Sequence, residues 1–224
     1  MDFVEPITYP LKDLKKLIIG GLLIFPGIIL LLIPYLMAIG YSIKVAGETV
    51  RGKDELPEYD DWNYFLMKGL GYIGIDIVYG IIMIVAFIPA MILFIAGTAG
   101  EENTVLIILA VILGIIALIL TLIISFLEMI ALVRYGEKEN IGAAFAFGEI
   151  FKNLKANLKN YIIGFIILLV LFVVLYIVMV VAMMTVVGIL FIGIILFYII
   201  LVEFRMFAQI YKESKESNEK LDIY

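Results

Sequence analysis

Three carboxylic acids, Asp76, Glu128 and Glu203, lie inside long apolar stretches of the sequence. Burying an ionisable side chain among apolar groups is costly, so such residues are candidates for function. Each lies within about two helical turns of the basic end of its stretch, and we expect the three at similar depth. We predict a polar pocket that is open to the cytoplasm and takes a cation, a proton or a lipid headgroup. The alternative is that the acids are hydrogen-bond partners of nearby tyrosines and basic residues.

Residues at helical spacing extend this candidate site. Tyr72, Asp76 and Tyr79 recur on one helical face. A stripe of small and hydroxyl residues leads towards Glu128 and should turn it into a helix bundle. This stripe consists of Ala110, Gly114, Ala117, Thr121 and Ser125. The predicted site residues are Asp76, Glu128, Glu203, Tyr72, Tyr79, Arg134 and Arg205.

Arg205 follows Glu203 by two positions, which places the two side chains about 200° apart around a helix. They therefore cannot share a face. If Glu203 faces inward, we expect Arg205 to extend to the lipid headgroups or to reach a neighbouring helix.

Composition limits the chemistry of the chain. It contains no histidine and no cysteine, so an imidazole base, a disulfide and a thiolate metal site are excluded. No phosphate-binding loop or nucleophile elbow is present. We therefore predict a protein that is not an enzyme and has no cofactor or metal. The lysines alternate with acids and form no basic groove, so nucleic acid is not an expected partner.

The apolar content predicts the fold class. Hydrophobic residues make up 64% of the 224 residues and charged residues 17%, and the mean hydropathy is +1.15, far from an ordinary soluble domain. Four stretches reach the length of a membrane-spanning helix: Gly69 to Gly97, Thr104 to Val133, Tyr161 to Met184 and Gly188 to Phe207. We predict an all-α polytopic membrane helix bundle over residues 1–210, followed by a charged cytoplasmic tail over residues 211–224.

The distribution of lysine and arginine predicts the orientation. The connections "TAGEEN" (98–103) and "TVVG" (185–188) contain neither residue, whereas the connection 134–159 carries five of them and the tail carries three lysines. Basic connections stay in the cytoplasm. We therefore predict a multi-pass protein of the plasma membrane with both termini cytoplasmic.

The opening apolar run, residues 17–43, has basic residues on both sides: Lys12, Lys15 and Lys16 before it, and Lys44, Arg51 and Lys53 after it. A broken, re-entrant helical hairpin that reverses near Pro26 and Gly27 would keep both ends cytoplasmic. A single kinked span would leave the first three lysines outside. Because irregular backbone inside a membrane must be covered by protein, we expect the hairpin to pack against other helices.

Two segments 144 residues apart are similar: "FVEPITYPLKDLKKLIIG" (3–20) and "FGEIFKNLKANLKNYIIG" (147–164). Each is predicted to be a short amphipathic helix in the membrane interface. Common origin and shared helical composition both explain the match. The segment "YDDWNYFLMKG" (59–69) is predicted to be a third interfacial segment, with Asp60 or Asp61 capping its helix.

The stretch "RGKDELPEYDDW" (51–62), together with the broken apolar run before it, resembles a prokaryotic, mainly archaeal family catalogued as domain of unknown function 4013. The resemblance implies a multi-pass membrane protein. It carries over no catalytic or binding residues, because the family has no established activity.

Two functions are consistent with these features. The first is a non-enzymatic membrane scaffold or adaptor. It would contact membrane lipids, or a cytoplasmic protein through the acidic loop Asp54 to Asp61 or through the C-terminal tail. The second is a small transporter or channel that uses a cytoplasm-facing acidic pocket, with Pro26, Pro34 and Pro89 as candidate helix breaks.

Overall fold

The computed structural model describes residues 2–29 and 32–221, and these residues form helices joined by short connections. The α-helices are α1 (Glu5–Thr8), α2 (Leu14–Ile29), α3 (Leu32–Val50), α4 (Trp62–Thr98), α5 (Thr104–Lys138), α6 (Phe147–Ala156), α7 (Leu158–Ala182) and α8 (Val186–Leu221). Two 3-10 turns, Tyr9–Lys12 and Ile141–Phe145, precede α2 and α6. The predicted all-α class is confirmed.

The four predicted spans are confirmed as α4, α5, α7 and α8, which are long and apolar enough to cross a membrane. With 37 residues, α4 is about 55 Å long, well beyond the hydrocarbon thickness of about 30 Å. It begins at Trp62, where the Asp61 carboxylate accepts a hydrogen bond from Tyr64 N at 2.9 Å. The predicted cap at Asp61 is confirmed, and residues 62–69 form the first turns of α4. Their position in the membrane interface stays a prediction.

The opening apolar run forms two helices whose outer ends lie side by side. Lys16 Nζ donates to the carbonyl oxygen of Leu56 at 2.8 Å, and Tyr59 Oη donates to the carbonyl oxygen of Lys16 at 3.3 Å. A single helix would separate the two ends by roughly 40 Å, so the chain reverses between α2 and α3. The helix α2 continues through Pro26 to Ile29, so the predicted break at Pro26 and Gly27 is wrong, since a membrane helix tolerates a proline. The connection between α2 and α3, residues 30–31, lies outside the described residues.

Glycines allow this hairpin to pack closely against two long helices. A Cβ atom at Gly40 would overlap the carbonyl oxygen of Phe65 on α4, and one at Gly69 would overlap that of Leu36 on α3. On α2, a Cβ atom at Gly21 would overlap the backbone of α8. The hairpin thus packs against α4 and α8, as expected. Whether it enters and leaves a membrane by one face stays a prediction.

The bundle has a packed half and an apolar half. We call the packed half the basic end; it holds the loop 51–61, α6 and the adjoining ends of the long helices, and it contains most of the buried residues. In the other half, α5 exposes large apolar side chains from Val105 to Ile123. This belt is about 27 Å long, close to the hydrocarbon thickness of about 30 Å. Glu128 therefore lies just beyond the belt.

The two similar segments share one structural feature. The helical turns before the membrane helices break at Asp13 and at Asn157, which are 144 positions apart, and α2 and α7 begin at the next residue. The segment 147–164 begins with a distinct helix, α6, whereas residues 3–20 hold the short α1 and a 3-10 turn. The predicted single helix is wrong there because Pro6 and Pro10 shorten the turns.

The first part of the predicted tail, residues 211–215, is part of the bundle. The helix α8 continues to Leu221 without a break at residue 210. Tyr211 and Ser214 are buried, and Lys215 Nζ forms an ion pair with Glu137 at 2.8 Å. The boundary predicted between residues 210 and 211 therefore falls inside a packed helix.

Candidate functional site

A cavity of about 280 Å³ lies between α3, α4, α5 and α8. The three predicted acids all contribute to its wall, each from a different helix. Its lining consists of Tyr35, Ile39, Tyr72, Asp76, Ser125, Glu128, Met129, Leu132, Ile200, Glu203 and Phe204. We call it the acidic cavity. The structure thus brings Asp76, Glu128, Glu203 and Tyr72 together.

Two of the acids, Asp76 and Glu128, lie close enough together to interact electrostatically. Two ionised carboxylates that face each other repel, so a proton or a cation beside them would stabilise the pair. The arrangement therefore favours a positively charged occupant.

Glu203 completes the acidic wall from α8. It makes no hydrogen bond and no ion pair within the described part of the chain. Glu203 is partly buried, and a carboxylate withdrawn from water is normally paired, because its desolvation is otherwise uncompensated. Glu203 is thus the acid most in need of an external partner.

Aromatic side chains face the acids across the cavity. The side chains of Tyr35 and Tyr72 lie near each other in this lining, and Phe204 belongs to it as well. Sequence reasoning missed Tyr35 and did not place Ser125 in the site. Tyr35 directly follows Pro34, but its place in the wall depends on how α3 crosses α4, which the sequence does not reveal.

The other predicted site residues lie outside this lining. Tyr79 Oη donates to the carbonyl oxygen of Ala144 at 2.9 Å. Arg134 forms an ion pair with Glu149 and donates to Tyr211 Oη at 3.3 Å. These two residues fasten α4 and α5 to the segment around α6.

Arg205 has its own set of partners, which we call the Arg205 cluster. Its guanidinium donates to Glu5 at 3.0 and 3.1 Å, to Asp54 at 2.8 Å and to Thr49 Oγ1 at 2.8 Å. The aromatic ring of Tyr9 lies 4.1 Å from the guanidinium carbon. Arg205 therefore reaches neighbouring segments, one of the two placements expected for it, and does not neutralise Glu203.

The acids in the Arg205 cluster respond to its charge. A hydrogen bond from Arg205 lowers the pKa of Asp54 below its usual value. At Glu5, burial acts to raise the pKa, but hydrogen bonds from Arg205 and Lys12 outweigh it and the pKa is lowered. Both carboxylates are thus held in their ionised form by this cluster.

Lys68, a basic residue near the start of α4, also has partners of its own. Its ammonium group forms an ion pair with Glu139 and donates to the carbonyl oxygen of Tyr135 at 3.3 Å. None of Arg134, Arg205 and Lys68 therefore pairs with an acid of the cavity. The described lining of the acidic cavity contains no lysine or arginine.

A second cavity, of about 300 Å³, lies beside the first between α5, α7 and α8. Its wall is almost entirely apolar: Leu122, Ser125, Phe126, Met129, Phe165, Leu168, Leu169, Phe172, Ile199, Glu203 and Phe207. We call it the apolar groove. Ser125, Met129 and Glu203 belong to both linings.

Comparison with known proteins assigns the chain to a family. The sequence profile of DUF4013, a group described as proteins of unknown function, matches residues 19–184. The chain belongs to the DUF4013 family. The matched part of this DUF4013 protein runs from α2 to the end of α7 and includes Asp76 and Glu128. No curated protein and no solved structure matches the chain.

Proposed function

We propose that this DUF4013 membrane protein binds a small organic cation in the acidic cavity. The observation that carries the proposal is the meeting of Asp76, Glu128 and Glu203, from three helices, in a cavity whose described lining contains no basic residue. A cation would relieve the repulsion between Asp76 and Glu128 and would supply the partner that Glu203 lacks.

The shape of the cavity favours an organic cation over a metal ion. Within the described residues, no three carboxylates lie close enough together to hold a metal ion. The acids instead surround a space large enough for several water molecules. Tyr35, Tyr72 and Phe204 add aromatic faces, and ammonium groups bind well where acids and aromatic rings combine.

Binding and transport are separable in this proposal. A transporter would have to open the cavity to the far end of the bundle, where α4, α5 and α7 are lined by apolar side chains. Flux of labelled tetramethylammonium into proteoliposomes would support the small-transporter form of the proposal. Saturable binding without flux would support a binding protein.

The test of binding changes Glu203, the acid that has no partner within the described residues. We expect Glu203→Gln to weaken tetramethylammonium binding by about tenfold or more, because a contact with a charged partner is lost. Isothermal titration calorimetry on the purified protein in detergent measures this affinity. The thermal unfolding temperature should not fall, since Glu203 has no partner to lose within the described residues.

The control is Glu102→Gln, which removes the same charge from the exposed connection between α4 and α5. This variant should bind tetramethylammonium like the unmodified protein. Equal affinity in all three proteins would contradict the proposal.

A scaffold or adaptor is the second candidate, and the loop after α3 favours it. The side chains of Asp54, Glu58 and Asp60 are 80%, 74% and 68% exposed. The loop is nevertheless fixed in place, because Lys16 and Arg205 bind its backbone and its acids. A rigid acidic surface of this kind suits a basic cytoplasmic protein.

A photo-crosslinking residue at position 58 would test the adaptor function in cells. We expect one stoichiometric soluble partner, and its loss when Asp60→Lys is added. Crosslinks to lipid alone would leave membrane lipids as the contact of this loop and contradict the adaptor.

A further inference from the structure

The acidic cavity and the apolar groove adjoin each other and share wall residues. Glu203 lines both, and so do Ser125 and Met129. Glu203 therefore has Asp76 and Glu128 on one side and apolar side chains of α5, α7 and α8 on the other.

The groove opens towards the membrane. Leu122, Leu169 and Phe172 form its outer rim, and they are 41%, 51% and 49% exposed. Leu122 lies in the exposed apolar belt of α5, which matches the hydrocarbon thickness. An occupant of the groove would therefore exchange with the lipid phase sideways, without crossing water.

We infer that the occupant is a single-chain alkylammonium amphiphile, with its ammonium group among the three acids and its alkyl chain in the apolar groove. The inference rests on the proposed function, because it specifies the cation that the acidic cavity takes. The charge of the ammonium complements Glu203, and the aromatic rings of Phe165, Phe172 and Phe207 provide an apolar wall for the chain.

Charge also discriminates against phospholipids. The amine of a phospholipid headgroup is only a few bonds from a phosphate, which would be brought next to Asp76, Glu128 and Glu203. Like charges in a partly buried site disfavour this placement. A single-chain amine has no such anion.

The experiment compares trimethylammonium compounds with methyl, butyl and octyl substituents, bound to the full chain in detergent and measured by calorimetry. We expect affinity to rise with chain length, by up to about fourfold for each methylene that the groove buries. Leu169→Trp should narrow the groove and abolish this rise, while leaving the affinity for tetramethylammonium unchanged.

The matched control is Val170→Trp on the same helix, because Val170 is 55% exposed and does not line the groove. It should retain the chain-length dependence. If both tryptophan variants behave alike, or if chain length has no effect while tetramethylammonium still binds, the amphiphile inference is overturned and the proposed function survives. Failure of tetramethylammonium to bind overturns both.

A competition experiment distinguishes a single-chain amine from a phospholipid as the source of the ammonium group. Octyltrimethylammonium should be displaced by dodecylamine and not by phosphatidylethanolamine supplied in mixed micelles. Equal displacement by the phospholipid would overturn the single-chain assignment.

Discussion

Neighbouring charges on α8 have opposite roles because of helical geometry. Arg205 is 2% exposed and fully engaged with Glu5, Asp54 and Thr49, whereas Glu203 lines two cavities and has no partner within the described residues. Two positions along a helix place side chains about 200° apart, so neither can neutralise the other. One face of α8 is therefore structural, and the other is available for a ligand.

The structural face can be tested with Arg205→Met. Removing one partner of a buried ionic cluster typically costs about 3 kcal/mol in the free energy of unfolding, because the remaining acids lose their compensation. Denaturant unfolding of the purified protein measures the loss. Lys138→Met is the control, because the Lys138 side chain is 48% exposed and its ion pair with Glu137, at 3.7 Å, should contribute less than about 1 kcal/mol.

Low pH should weaken the Arg205 cluster. The pKa values of Glu5 and Asp54 are lowered in the folded protein, from ordinary values of 4.5 and 3.8. A carboxyl group whose pKa is lowered by folding stabilises the protein fully when the pH is above its ordinary pKa. This stabilisation is lost as the pH falls through the pKa that the group has in the folded protein. We therefore expect the difference in unfolding free energy between the unmodified protein and Arg205→Met to shrink on going from about pH 6 to about pH 3. A difference independent of pH would show that Arg205 acts through packing alone.

At the scale of the helices, close contact between α3 and α4 positions the acidic cavity. Tyr35 lies near Tyr72 because Gly40 and Gly69 let the two backbones approach. Gly40→Ala should reduce the free energy of unfolding by about 1–3 kcal/mol, since the added methyl group overlaps a carbonyl oxygen. It should also weaken tetramethylammonium binding, because α3 carries one wall of the cavity.

Gly80→Ala provides the matched control within α4, because no atom lies near its added Cβ. Alanine is favoured over glycine in a helix by up to about 1 kcal/mol, so this variant should be neutral or stabilising. A similar loss of stability in both variants would mean that the effect of Gly40→Ala does not come from the close α3–α4 contact.

The helices also show which features could be predicted from the sequence. Length and hydropathy located the four spans, because each must satisfy its backbone inside hydrocarbon. The positions of Asp76, Glu128 and Glu203 along their spans predicted a similar depth, and all three line one cavity. The start of α4 could not be predicted from hydropathy, because the helix begins at the Asp61 cap, which lies at the basic end of the bundle. Tyr35 could not be predicted either, since its place depends on a helix crossing.

In the whole molecule, contacts between segments that are distant in the sequence hold these segments together at the basic end. Arg51 Nη1 donates to the carbonyl oxygen of Glu137 at 3.1 Å, which joins the end of α3 to the end of α5. Lys215 on α8 binds the Glu137 side chain, and Lys16 binds the loop before α4. All sixteen lysines and arginines lie outside residues 69–133 and 160–204, which hold the apolar half of the bundle. This asymmetry predicts that the basic end faces the cytoplasm.

Single-cysteine labelling in intact cells tests this orientation, and the natural absence of cysteine makes each variant unambiguous. Lys15→Cys and Lys155→Cys should react with a membrane-impermeant maleimide only after permeabilisation, because both lie at the basic end. Glu102→Cys, in the connection between α4 and α5, should react without it. Labelling of Lys15→Cys together with Glu102→Cys would place the N-terminal segment outside. Because Lys16 contacts the loop before α4, that result would require the loop and the ends of α5 and α8 to be outside as well, contrary to the charge distribution.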